Sequence, residues 1–124
     1  MPRRAKPTPP ASPEPRPAPA PIPDDQWDLP VSFNTAGELV TLREYAHPRT
    51  PVLSPAQLSG EQRARVTAER IARKPHFEVG MLGVGILNKE RAVVEVRGQS
   101  VAGKVLIEIE FRLIQNLMRQ AGVP

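Results

Sequence analysis

Residues 73–98, RKPHFEVGMLGVGILNKERAVVEVRG, decide how the C-terminal half of this chain folds. Phe77, Met81 and Val84 share one face of a helix, while Phe77, Val79 and Met81 alternate as they would in a strand, so periodicity alone leaves 76–87 open. Gly80, Gly83 and Gly85 each cost about 1 kcal/mol in a helix interior and weaken a strand too, which points to close backbone packing. The segment is taken as a small-residue helix. After the polar break Asn88–Arg91, the run Ala92-Val-Val-Glu-Val-Arg97, closed by Gly98, reads as the clearest strand in the chain.

Downstream, Val105, Ile109, Leu113 and Leu117 mark a helical face, yet Val105, Ile107, Ile109, Phe111 and Leu113 also alternate with charged residues. Some 20 residues without a break exceed the usual strand, and Gly122 supplies a helix C-cap, so 100–121 is expected to be helical. Upstream, Val31–Phe33 and Glu38–Leu42 read as strands of a hairpin turned at Asn34-Thr-Ala-Gly37. Ser54-Pro-Ala-Gln57 and Ser59-Gly-Glu-Gln62 are two successive capping boxes, predicting a helix from about 55 or 60 to 73. The fold class is therefore α+β: an N-terminal β-hairpin, then helix, helix, strand, helix, in one small domain over 31–124.

Residues 1–30 are different. They hold 11 of the 16 prolines and equal numbers of basic and acidic groups. The run from Pro7 to Pro23 fixes φ, removes donors and offers little to bury, so an extended polyproline arm, disordered unless bound, is expected. Arg3, Arg4 and Lys6 make its tip cationic, whereas Asp24, Asp25 and Asp28 make its root acidic. Arg4 to Pro10 fits the R-x-x-P-x-x-P spacing of groove-binding ligands, although this many prolines produce such matches by chance. Trp27, the single tryptophan, is expected to dock, either on the domain's own core or on a partner.

The C-terminal half invites a comparison. Arg73-Lys74-Pro75, the small-residue segment GMLGVGIL, then VVEVRG and SVAGKVLIEIEFRLI resemble the core of Alba-type nucleic-acid-binding proteins and their sporulation-protein-S relatives. That resemblance implies a dimerising α/β domain contacting DNA or RNA backbones, with Lys74 in a lysine turn and Arg97 at a strand end. The family continues past its second helix into a further β-hairpin, which is not expected within the three residues that follow 121 here.

Function classes narrow by composition. No cysteine is present and only His47 and His76 supply imidazole, so neither thiolate chemistry nor a metal cofactor is expected. His47 reads as a loop residue and His76 as a helix start. Glu108 and Glu110 point about 200° apart on a helix, with nothing to mark either as desolvated, and no phosphate-binding glycine motif occurs. An enzyme is not expected. No segment offers a membrane span or signal peptide, so a cytoplasmic protein without membrane contact is the expectation.

Two binding readings remain. Arg63, Arg70 and Lys74 line one face of the 60–73 helix region with Arg73 adjacent; with Arg97 and the arm's Arg3, Arg4 and Lys6 they would form a phosphate-binding face for sequence-nonspecific DNA or RNA contact. The formal charge of +4 suits that. The same helical face reads equally as solvated surface. Alternatively, the chain is a structural subunit of a larger protein assembly, engaged by its proline-rich arm. Leu82, Val84, Ile86 and the apolar residues encircling 105–118 exceed what so small a domain needs to bury, which points to a homo-oligomer.

Overall fold

The computed structural model describes residues 21–123. Arg3, Arg4, Lys6 and the greater part of the proline-rich arm lie outside the described residues. The fold is α+β. In order come α1 (Asp24–Trp27), β1 (Pro30–Phe33), β2 (Leu39–Thr41), α2 (Leu42–Ala46), a 3₁₀ turn (Pro55–Gln57), α3 (Gly60–Arg73), β3 (Glu78–Met81), β4 (Gly85–Asn88), α4 (Lys89–Arg97) and α5 (Val101–Gln120).

The expected N-terminal hairpin forms. β1 and β2 pair antiparallel, Phe33 against Leu39. Asn34 organises the turn: its side-chain oxygen accepts from Ala36 N–H at 2.9 Å and Glu38 N–H at 3.0 Å, while Gly37 takes φ +83°, which a glycine adopts without strain. On its other edge β1 receives Leu53 N–H at the Phe33 carbonyl, and α3 covers it, so all four of its residues are buried. The core starts before residue 31. Ile22 and Trp27 pack against it and Leu29 is buried, so the folded unit includes what the sequence reading assigned to the arm's root.

The capping boxes form as well. Ser59 accepts from Gln62 N–H at 3.1 Å while Gln62 accepts from Ser59 N–H at 2.9 Å, starting α3 at 60; the Ser54 box encloses only the 3₁₀ turn. α5 begins at its Ser100 cap and ends in a Schellman motif. There Val123 N–H meets the Met118 carbonyl, Gly122 N–H meets that of Arg119, and Gly122 has φ +74°.

Residues 76–97 reverse the expected order. Instead of a small-residue helix, β3 and β4 form a hairpin, with Val79 opposite Leu87 and Gly80 opposite Ile86. The glycines account for it: Gly83 follows Leu82 in a turn closed by Val84 N–H to the Met81 carbonyl and has φ +81°, and Gly85 has φ +95°. Only glycine takes both positions cheaply, and neither belongs in a helix. His76 accordingly sits exposed ahead of β3, not at a helix start.

The run expected as the clearest strand is α4. Asn88 caps it by accepting from Arg91 N–H at 2.8 Å, Ala92 and Val96 recur at helical spacing and are both fully buried, and Arg91 reaches Glu95 one turn on. Burial at i and i+4 outweighs the modest helix penalty of the β-branched valines. The helix–strand–helix order that the Alba-type resemblance implies is thus replaced by hairpin, helix, helix.

α3, α4 and α5 pack together, and α3 carries β1 on its other side. The approach of α4 to α5 is very close: a Cβ on buried Gly103 would fall on the Glu95 carbonyl oxygen and crowd the Val96 Cα. At the α4–α5 corner, the Ser100 hydroxyl donates to the Glu95 carboxylate at 2.7 Å and holds that carboxyl below its ordinary pKa, with Arg91 adding to the effect and partial desolvation opposing it.

Candidate interaction surfaces

The basic ridge expected on α3 exists as a shared face, but the face points inward. Arg70 is wholly buried, donating through Nε to Glu110 Oε1 at 3.0 Å, through Nη1 to the Pro30 carbonyl at 3.1 Å and through Nη2 to Gln26 Oε1 at 2.8 Å. Lys74 Nζ lies 3.3 Å from both Glu110 oxygens and 5.4 Å over the Phe77 ring. Arg63 bonds the Pro55 carbonyl at 3.2 Å and stacks 5.1 Å over Phe111. Glu110, buried on α5, therefore absorbs two of the charges meant for phosphate. The expectation that nothing desolvates this carboxylate is overturned; Glu108, by contrast, is exposed beside Arg112.

Of the other expected contacts, Arg73 is half-exposed, 3.6 Å from Glu69 and bonded weakly to the Asp28 carbonyl. Arg97 lies exposed in the last turn of α4, not at a strand end, and borders an open groove with Arg65, Glu61, Glu69 and Phe33. Trp27 is half-buried against the domain's own core with the Arg43 guanidinium 5.8 Å over its ring, so it docks inward. These candidates do not converge on one basic surface. Among the described residues, no cluster of His, Cys, Asp and Glu is placed to hold a metal ion, and no helix is long and apolar enough to cross a membrane.

What faces outward instead is apolar. Leu82 at the tip of the β3–β4 hairpin is fully exposed, Ile86 is 72% exposed and Val84 46%. Pairing explains this. Val79 and Leu87 turn one hairpin face to the core, leaving Ile86 on the other face opposite Gly80, which has no side chain to cover it. Among the described residues, neither outer edge of this two-stranded ribbon has a neighbouring strand. A second feature runs along α5, where Val101, Val105, Ile109 and Leu113 recur every four residues on the side away from α3, and Val94 stands exposed on α4.

Comparison with protein-family models, with curated proteins and with solved structures finds no match for the chain. The surface must therefore be read from its own chemistry. Isolated exposed aliphatics are ordinary, whereas larger contiguous apolar patches are characteristic of interaction sites in general. The sequence signalled this surplus at Leu82, Val84 and Ile86. It carried no signal for Glu110 as the partner of Arg70, which lies 40 residues away.

Proposed function

We propose that this protein is a non-enzymatic assembly subunit that associates through the apolar outer surface of its β3–β4 hairpin and α5, with further copies of itself as the first partner. The observation that carries the reading is the exposed hairpin. A two-stranded ribbon is marginal in water by itself, yet this one directs Leu82, Val84 and Ile86 outward at a tip that folding alone does not require. Its edges, which no other strand among the described residues joins, add backbone groups of the kind that receive a strand from another chain.

The phosphate-binding alternative is weakened by the same geometry. Arg63, Arg70 and Lys74 are engaged internally, so of the contacts expected from the sequence only Arg97, half-exposed Arg73 and the arm's cationic tip stay available to a polyanion. Six to ten phosphate contacts produce the steep salt dependence of a dedicated binder. A proline-rich sequence suits the assembly reading, since proline restricts the backbone of the free chain and so lowers the entropic cost of docking.

The triple variant Leu82→Ser, Val84→Ser, Ile86→Ser tests the reading. Because these side chains contribute little to the core, its denaturation midpoint is expected to stay close to that of the parent, within about 0.5 kcal/mol for surface changes. Its sedimentation coefficient at high protein concentration is expected to fall towards the monomer value. Unchanged association in this variant would remove the hairpin from the interface.

A further inference from the structure

The residues along α5 identify what covers that helix. Val101 is 84% exposed, Val105 39% and Ile109 50%, and at four-residue spacing they form a continuous ridge roughly 12 Å long. One flank of the ridge carries Lys104 and Glu108, both exposed and one turn apart; the carboxylate of Glu108 accepts from Arg112 at 3.2 Å. We propose that the ridge is covered by α5 of a second copy of this chain, antiparallel to the first, about a two-fold axis passing beside Val105.

Symmetry and charge both select this arrangement. In a two-fold pair each contact occurs twice with roles exchanged. With the axis at Val105, that residue meets its own counterpart, Val101 meets Ile109 of the second copy, and Lys104 comes beside Glu108 of the second copy. A parallel two-fold pairing would instead put this flank of the two copies on opposite sides of the seam, leaving Lys104 and Glu108 without a partner across it, so the charge contact is gained only by the antiparallel pair. The ridge is aliphatic and β-branched throughout, with side chains already confined to one χ1 rotamer in a helix, and little rotamer freedom is lost on contact. The middle position is a valine, small enough for the helices to approach closely. The inference rests on the assembly reading and specifies its partner.

The chain has no cysteine, so a single introduced thiol reports unambiguously. In the full chain, Val105→Cys under mild oxidation is expected to form a disulfide-linked dimer at least about tenfold faster than Arg119→Cys, which lies on the same helix far from the axis; facing positions alone satisfy disulfide geometry. Charge exchange gives an independent reading. Lys104→Glu and Glu108→Lys should each weaken the dimer about tenfold, because each creates two like-charge contacts, and the double exchange should restore it. Far-UV circular dichroism should be unchanged throughout.

Equal cross-linking at 105 and 119, or a double exchange no better than the singles, overturns the proposal. If the parent chain is nevertheless oligomeric and the hairpin variant is not, only the α5 pairing has failed and the assembly reading stands. A parent chain that stays monomeric at every concentration overturns both.

Discussion

Glu110→Leu is expected to destabilise the domain by about 3–5 kcal/mol, because it strands a buried cation. Arg70 has no exposed surface, and its guanidinium keeps only the neutral Pro30 carbonyl and Gln26 amide once the carboxylate is gone. A loss of that size consumes much of the roughly 5–15 kcal/mol that holds a domain together, so part of the population should be unfolded at ambient temperature. Arg70→Met alone should cost less, since Glu110 retains Lys74 at 3.3 Å. The double variant Arg70→Met, Glu110→Leu should recover most of the stability, because well-packed apolar replacements of a buried ion pair are often neutral or better. Urea denaturation of the three variants checks the order, and a double variant as unstable as Glu110→Leu would show that the network is not the source of the loss.

A second large effect is expected at Gly103. In an ordinary helix interior, glycine to alanine stabilises by up to about 1 kcal/mol. Here the added methyl would fall on the Glu95 carbonyl and Val96 Cα of α4, which cannot move without separating the two helices. Gly103→Ala is therefore expected to lower stability by about 1–3 kcal/mol and Gly103→Val by more. The control is Gly80→Ala, whose methyl meets nothing within 4 Å. The sign of the change at Gly103, read from the denaturation midpoint, decides whether α4 and α5 cross as closely as described.

Local chemistry made some of this fold legible in advance and hid the rest. The Ser59–Gln62 box, the Asn34–Gly37 turn and the Gly122 C-cap act within a few residues, and each element they bound was readable. The segment 76–97 was not, because its glycines argue against helix and strand alike until their φ angles are known, and Ala92-Val-Val-Glu-Val is valine-rich as strands are while burying only its i and i+4 positions. Tertiary packing on α3 and α5 settles α4 as helix against its β-branched composition.

The candidate site divides in the same way. Helical spacing correctly placed Arg63, Arg70 and Lys74 on one face, but spacing does not say which way a face points. Arginine has an apolar stem and can lie in a core when an anion meets it, and that anion, Glu110, comes from another helix. The exposed hairpin was legible as surplus apolar mass at Leu82, Val84 and Ile86, even though the element carrying it was not.

The most direct test of assembly through an apolar surface is light scattering of the full chain, separated by size, at low and high salt, with and without duplex DNA. The predicted result is a species larger than a monomer whose mass is maintained or increased at high salt, and which ignores DNA at physiological ionic strength, because apolar contacts are not screened. A monomer that binds duplex DNA at low salt and releases it steeply as salt rises would contradict the account.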